Sequence, residues 1–161
     1  RLSYRAERHF YNRGDPLLCD PHRSSGALIS QDGVLSVPMH TTGVDMVEVW
    51  RIREARERFG ERFMHRIYTD NEIRTSRGRD PELAARFASK EAVMKLLGTG
   101  VRGVGWKDIE ILPRRGGKPE VHLYGRALAV AKRIGLKDVA VSQTHSLEYA
   151  ISFVVGEADN P

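Results

Sequence analysis

Two acidic residues from remote parts of the chain, Asp45 and Glu91, and a lysine one helical turn after the second, Lys95, are the side chains best suited to chemistry. Carboxylate oxygens are preferred ligands of Mg²⁺, which keeps several waters and readily shares phosphate oxygens. If both acids face one cleft, they could hold a magnesium ion that bridges a diphosphate. Zinc is not expected, because the single cysteine and the scattered histidines lack the spacing of zinc ligands.

Glu91 belongs to a stretch that is predicted to be a helix beginning at residues 80–82 and ending at Gly98. Proline and acids suit a first turn, and a glycine can close the last one. Phe87, Glu91 and Lys95 follow at i, i+4 and i+8, so they share one side of the helix. Glu91 is therefore carried toward the packed side, where it needs a cation, either Lys95 or a metal. An ordinary i, i+4 ion pair on a solvated face is the alternative.

Asp45 lies in a predicted strand over residues 41–49, which alternates and is rich in valine. Val44 and Met46 should point to one face of this strand, and Asp45 and Val47 to the other. An acid in such a run is either at a solvated sheet surface or in a site.

Residues 48–60 are predicted to form an amphipathic helix that is rich in arginine. The predicted apolar positions of this helix are Val49, Ile52, Ala55 and Phe59. Arginines and interleaved glutamates occupy the other faces, as in many solvated helices with i, i+4 ion pairs. A basic surface for an acidic partner protein is the functional alternative.

The other elements complete a pattern of strand, helices, two strands, helix and two strands. The remaining predictions are helices at 63–68, from 69 and at 125–134, a mobile loop at 101–105, and strands at 106–112, 120–124, 139–144 and 149–155. This order predicts an α+β fold, with helices packed on one face of a mainly antiparallel sheet.

The composition describes a soluble globular protein of one domain, because 161 residues with 40% hydrophobic content can bury a core. No apolar run suits a membrane span, and the lone Cys19 fits a reducing cytoplasm. A net charge of +5 favours nucleic acid, a phosphate-rich cofactor or an acidic protein as partner. Residues 1–38 have little periodicity and are expected to be a poorly ordered N-terminal extension, so the folded domain is expected at 39–161.

Four motifs in register resemble the holo-acyl-carrier-protein synthases, the small 4'-phosphopantetheinyl transferases. They are Arg-Phe-x-x-Lys-Glu-Ala-x-x-Lys at 86–95 followed by Leu-Gly-Thr-Gly, Gly-Val-Asp-Met-Val-Glu at 43–48, Gly-Lys-Pro at 117–119, and Ser-Gln-Thr-His at 142–145. The resemblance covers residues 41 to 156. Gln143 is a departure, because the family usually has an apolar residue there, so Gln143 either loosens this strand or lies on a wet face.

The resemblance implies a magnesium-dependent transfer of the 4'-phosphopantetheine arm of coenzyme A to a serine of an apo acyl carrier protein, with release of 3',5'-ADP. Asp45 and Glu91 would bind Mg²⁺, and Glu91, Lys95 and His145 would be catalytic. The general base is either Glu91 or a magnesium-bound water. The residues expected to contact coenzyme A are Arg86, Lys90, Gly98, Gly100, Gly117, Lys118, Pro119 and Ser142.

The resemblance also implies partners. Arg51 and Arg58 would hold the acidic helix of the carrier protein, and the chain would form a homotrimer with a site at each subunit junction. We expect a cytoplasmic enzyme of fatty acid biosynthesis, and hence of lipid metabolism, with no membrane and no nucleic acid among its partners. The alternative is a basic α+β module that binds nucleic acid, which the arginine helix and a pI near 9.6 favour. Against it, the sheet lacks the exposed aromatic cluster of an RNA-recognition module. A metal-dependent nuclease is weaker still, since its acid-x-Lys spacing is absent.

Overall fold

The computed structural model describes residues 39–158 together with two short strands, β1 (Leu28–Ile29) and β2 (Leu35–Ser36). These two strands pair with each other in antiparallel fashion. The rest of the predicted N-terminal extension lies outside the described residues. Residues 39–158 belong to one compact unit, Val37–Pro161.

The described part of this unit alternates strands and helices as the sequence predicts, and the α+β class is confirmed. Its elements are β3 (Met39–Glu48), α1 (Val49–Ile67), α2 (Asp70–Ser76), α3 (Asp80–Leu96), α4 (Gly100–Gly103), a 3₁₀ turn (Trp106–Asp108), β4 (Ile109–Pro113), β5 (Pro119–Leu123), α5 (Gly125–Arg133), β6 (Leu136–His145) and β7 (Tyr149–Ala158). Strands β3, β7 and β6 form an antiparallel sheet in that order, and β4 pairs with β5 in a separate hairpin.

Helix α3 packs across all three strands of the larger sheet, and Gly43 on β3 permits the closest approach. A Cβ atom at Gly43 would lie 1.9 Å from the carbonyl oxygen of Ala92 on α3, a distance that no side chain can tolerate. The absence of a side chain thus lets the helix backbone rest directly on the strand. This contact brings the residues that follow Gly43 close to those that precede Ala92.

The alternation predicted for β3 is confirmed by its burial. Asp45 and Val47 are buried beneath α3, while Val44 and Met46 are exposed on the other face of the sheet. Small residues on α3, such as Ala84, Ala88 and Ala92, are fully buried, so the helix sits close to its neighbours.

Three local predictions were wrong. Residues 101–105 were predicted to be a loop, but helix α4 forms there, and Gly100 turns the chain into it with φ 57°. Trp106 lies in the 3₁₀ turn rather than in a strand. Phe59 is exposed rather than part of the apolar face, because the next residue, Gly60, breaks the helical geometry of α1 (φ 52°, ψ −136°).

In the part of the chain that the structure describes, each helix is too short or too polar to cross a lipid bilayer.

Candidate active site

Asp45 and Glu91 line a cavity of about 230 Å³ between β3, α1 and α3. The remaining lining residues are Met46, Val47, Arg51, Ile52, Ala55, Phe63 and Phe87. Most of these are apolar, so the two carboxylates and Arg51 are the charged groups of the cavity. The structure therefore brings together two acids that are remote in sequence.

The Asp45 side chain is 10% exposed, and its two oxygens have different surroundings. Oδ1 accepts a hydrogen bond of 2.9 Å from Nζ of Lys95, and the same ammonium donates to the carbonyl oxygen of Val44 at 2.8 Å. Oδ2 is buried and has no hydrogen-bond partner. Because an unpaired buried oxygen is costly, this atom needs either a cation or the proton of a protonated Glu91.

Glu91 lies against Asp45, on the side of α3 that faces β3. Burial, and then the charge and hydrogen bonding of Asp45, raise the pKa of Glu91 above its ordinary value, while Lys95 and Arg51 act in the opposite direction. Lys95 is paired with Asp45 on the strand and not with Glu91 on its own helix. The two carboxylates thus share a site with one bound ammonium, which leaves them short of positive charge.

This donor set fits a hard divalent cation. Carboxylate oxygens suit Mg²⁺, and the unpartnered Oδ2 of Asp45 is available to it. Among residues 39–158, no group of three or more His, Cys, Asp or Glu side chains could enclose a metal. A cation held by Asp45 and Glu91 would therefore take its other ligands from water or from phosphate oxygens.

The aromatic wall of the cavity is a feature that the sequence analysis missed. The ring of Phe87 stacks on Trp106 with centroids 4.8 Å apart and planes inclined by 26°, and Phe63 also lines the cavity. The i+4 spacing of Phe87 and Glu91 was the available signal for Phe87. No local pattern connected Phe63 or Trp106 with the acids.

Lys90 was predicted to contact the cofactor, but the structure buries it completely. Its ammonium pairs with Oε2 of Glu72 at 2.8 Å and donates to the carbonyl oxygens of Trp106 and Ile109. Burial lowers the pKa of Lys90, and Glu72 opposes that shift. This placement ties α3 to α2 and β4, and it leaves the side chain with no exposed surface.

Arg86, another predicted cofactor ligand, is also largely buried. Its Nη1 donates to the carbonyl and to Oε2 of Glu82 at 3.1 and 3.3 Å, and its Nη2 donates to Oγ1 of Thr75 at 3.2 Å. Its Nε is buried without a partner. Arg86 does not line the cavity of Asp45 and Glu91.

His145 and Ser142 lie on β6, the edge strand opposite β3, so within one chain they are apart from the two acids. Nε2 of His145 is 3.8 Å from Oε1 of Glu82 near the start of α3, and Ser142 is exposed. Gln143 is half-buried and accepts a hydrogen bond of 2.8 Å from Oγ of Ser89. It therefore neither loosens the strand, which stays paired with β7, nor lies on a wet face.

The predicted glycine and turn residues lie in two further places. Gly98 and Gly100, with φ of 69° and 57°, follow the end of α3. Gly117, Lys118 and Pro119 form the end of the turn between β4 and β5. One chain therefore brings together Asp45, Glu91, Lys95 and Arg51, and it leaves the other predicted site residues at separate positions.

The arginines of α1 divide into two kinds. Arg53 and Arg56 donate to Asp80 at the start of α3, at 3.1 and 2.8 Å from Nε, and so fix α1 to α3. Arg51 contacts Glu48 at 3.3 Å, and Arg58 lies over the ring of its neighbour Phe59. Arg51 and Arg58 border a surface hollow of about 170 Å³, which the exposed aromatic residues Trp50 and Phe59 also line.

Comparison with known proteins gives one consistent result. Residues 41–154 match the 4'-phosphopantetheinyl transferase superfamily. The chain is 46% identical over 116 residues to a holo-[acyl-carrier-protein] synthase of Dehalococcoides mccartyi, covering 72% of this chain and 97% of that protein. A synthase of the same name from Koribacter versatilis is 44% identical over 120 residues, covering 72% of this chain and 96% of the relative.

Solved structures agree with these relatives. The Helicobacter pylori holo-[acyl-carrier-protein] synthase in complex with coenzyme A superposes with a TM-score of 0.66 at 27% identity, covering 71% of this chain and 98% of the other. The Neisseria meningitidis synthase gives a TM-score of 0.66 at 36% identity, covering 73% and 97%.

Proposed function

Since the chain belongs to the holo-[acyl-carrier-protein] synthases of the 4'-phosphopantetheinyl transferase superfamily, we propose that it transfers the 4'-phosphopantetheine arm of coenzyme A to a serine of an apo acyl carrier protein. The proposed reaction depends on Mg²⁺ and releases 3',5'-ADP. The observation that carries the magnesium role is the juxtaposition of Asp45 and Glu91, with Oδ2 of Asp45 buried and unpartnered.

In the proposed reaction, the serine oxygen forms a bond to the β-phosphorus of coenzyme A, and the bond to the bridging diphosphate oxygen breaks. Asp45 and Glu91 would hold the magnesium ion, which when bound supplies charge neutralisation and polarisation of the phosphate. Lys95 adds a positive charge to the same phosphates. Glu91 or a water bound to the magnesium ion would take the serine proton.

The proposed active form is a homotrimer, in which a neighbouring copy adds cofactor contacts that one chain leaves elsewhere, among them His145 and Ser142. The outer face of the sheet supports association between copies, because it is apolar and uncovered. Val44 pairs with Phe153 and Met46 pairs with Ile151 across β3 and β7, and all four are at least 40% exposed. Light scattering coupled to gel filtration tests this: a monomeric mass for an active enzyme would contradict it.

The proposed carrier-protein surface is the hollow beside Arg51 and Arg58. Both arginines are exposed, and the hollow adjoins the cavity of Asp45 and Glu91, because Arg51 and Ala55 line both. Acidic side chains of a carrier bound there would meet positive charge beside the cavity of Asp45 and Glu91. The cytoplasm is the proposed compartment, supported by the single cysteine of the chain.

Mass spectrometry of the intact carrier protein tests the proposed function. The chain is mixed with apo acyl carrier protein, coenzyme A and Mg²⁺, and the carrier is expected to gain the mass of one phosphopantetheine arm. A parallel reaction with EDTA should show no gain. If no gain occurs with Mg²⁺, and the chain instead binds DNA or RNA tightly and in a salt-sensitive way, the nucleic-acid alternative replaces the proposal.

A further inference from the structure

The position of the Lys95 ammonium is not explained by catalysis alone. It is bound at two points of β3, to Oδ1 of Asp45 at 2.9 Å and to the carbonyl oxygen of Val44 at 2.8 Å. The ammonium therefore holds one oxygen of a carboxylate whose other oxygen, Oδ2, is open to a metal cation. Any cation that binds Asp45 must compete with it or share the carboxylate.

The ion pair between Lys95 and Asp45 is incomplete, which allows a metal cation to replace the lysine. Lys95 satisfies one oxygen of Asp45 and leaves Oδ2 unpartnered, and it does not pair with Glu91. Its side chain is 54% exposed, so it can turn outward without opening the core. Lysine is a compact point charge on a flexible four-carbon stem, which suits such a movement.

We propose that Lys95 is an internal counter-cation: it offsets part of the negative charge of Asp45 and Glu91 in the metal-free enzyme, and it turns toward the cofactor diphosphate when a divalent cation binds these carboxylates. The inference rests on the proposed function, because it assumes that these carboxylates bind the metal. It adds that the lysine opposes metal binding in the absence of coenzyme A and favours coenzyme A binding in the presence of metal.

Calorimetric titration of Mn²⁺ into the full chain without coenzyme A tests the first half. At pH 8, where proton competition for the carboxylates is weak, Lys95→Met should bind Mn²⁺ roughly two- to fivefold more tightly than wild type, since a half-exposed ion pair is weak. Lys95→Arg, which keeps the charge, should stay closer to wild type. Lys132→Met, an exposed lysine of α5 outside the site, is the matched control and should leave Mn²⁺ affinity unchanged.

Titration of coenzyme A in saturating Mn²⁺ tests the second half. Lys95→Met should bind coenzyme A more weakly than wild type, so one substitution moves the two affinities in opposite directions. A purely structural role of Lys95 would move both in the same direction or neither.

The proposal is overturned if Lys95→Met binds Mn²⁺ with equal or lower affinity than wild type, or if neither chain binds Mn²⁺ without coenzyme A. Failure of the proposed function has a different result. In that case Asp45→Asn retains Mn²⁺ binding, or the wild type gives no mass increment on the carrier protein. A chain that transfers with metal but shows no tighter binding in Lys95→Met retains the proposed function and loses only the counter-cation.

Discussion

Helix α3 carries two lysines, Lys90 and Lys95, and each makes an ion pair with a carboxylate from another element. The pairs have similar lengths, 2.8 Å from Lys90 to Glu72 and 2.9 Å from Lys95 to Asp45. Their surroundings differ, because both members of the first pair are fully buried, whereas Lys95 is half-exposed.

Hydrogen bonding shows what this difference means. The Lys90 ammonium has three acceptors, which are Glu72 and the carbonyls of Trp106 and Ile109. Glu72 in turn accepts from the backbone amides of Thr69 and Ile111, both at 2.9 Å. In the second pair, Oδ2 of Asp45 is left without a partner. The pair with complete hydrogen bonds joins α3 to α2 and β4, whereas Asp45 keeps a free acceptor in the cavity that it lines with Glu91.

The structural pair also supports the binding site. Lys90 immediately precedes Glu91, so anchoring Lys90 to α2 and the 3₁₀ turn fixes the rotation of α3 that presents Glu91 to Asp45. Trp106, whose carbonyl binds Lys90, stacks on Phe87 in the cavity wall. One buried lysine thus orients both an acid and an aromatic wall of the site.

The largest effect is expected from a substitution that breaks the buried ion pair of Lys90 and Glu72. Lys90→Met should lower the free energy of unfolding by about 3–5 kcal/mol, because it leaves Glu72 as an uncompensated buried charge. Lys95→Met should change it by no more than about 1 kcal/mol, since that pair is half-exposed. Urea denaturation followed by tryptophan fluorescence measures both.

The double variant Lys90→Met/Glu72→Gln serves as the control for the cause of that loss. It should be more stable than Lys90→Met alone, because it also removes the unpaired buried charge of Glu72. A Lys90→Met chain within about 1 kcal/mol of wild type would mean that the pair does not hold α3 in place.

The next effect concerns the binding site itself. Glu91→Gln should lower the rate of phosphopantetheine transfer by at least about a thousandfold, since a catalytic metal contributes several kcal/mol of charge stabilisation. The change keeps the size of the side chain, so circular dichroism should be that of the folded wild type. The rate is measured as carrier mass increment against time, and wild-type transfer by this variant would remove Glu91 from the metal site.

Glu91→Gln should also raise the free energy of unfolding, although it removes transfer activity. Burial and Asp45 raise the pKa of Glu91 above its ordinary value of about 4.5, so the folded chain binds the proton more tightly than the unfolded chain. Glu91 therefore costs stability progressively as pH rises from about 4.5 through the folded pKa. In EDTA, Glu91→Gln should gain up to about 1 kcal/mol near neutral pH, after discounting for partial exposure, and nothing near pH 4. Lower stability at neutral pH would contradict this sign.

The sequence allowed the site to be predicted where the signal was local. Alternation along β3 placed Asp45 and Val47 on one face and left open whether that face was solvated, and helical spacing placed Glu91 beside Phe87 on the packed side of α3. The ion-pair partners could not be predicted in this way. Lys95 stands one helical turn from Glu91 yet pairs with Asp45, 50 residues away, because helix packing at Gly43 decides which acid is nearer.

Lys90 is the clearest case of a residue whose role could not be predicted from the sequence. The resemblance implied that Lys90 contacts coenzyme A, and a lysine is rarely buried, so its burial was not expected. Its actual role depends on Glu72, which the sequence marked only as part of a helix start. The distance between His145 and the two acids has a similar origin, since it follows from the sheet order β3-β7-β6 and not from any motif.

The arginines of α1 repeat the contrast between the two lysines. Arg53 and Arg56 are fixed to Asp80 and hold α1 against α3, as Lys90 holds α3. Arg58 extends outward beside exposed aromatic side chains, and it lies over the ring of Phe59, its neighbour in the chain. The first kind should affect folding, and Arg58 should affect partner binding.

The smallest expected effect is that of Arg58→Glu, and it separates a role in partner binding from a role in folding. Arg58→Glu should raise the KM for the carrier protein roughly fivefold, because reversing an exposed charge at an interface costs on the order of 1 kcal/mol. The KM for coenzyme A and the free energy of unfolding should stay at wild-type values, since Arg58 touches neither the cavity of Asp45 and Glu91 nor α3. Lys132→Glu, the same charge reversal on α5, should leave the carrier KM unchanged, and so separates a local contact from a general effect of net charge. Equal increases in both variants would show that the carrier responds to net charge alone, and the hollow beside α1 would then not be its docking surface.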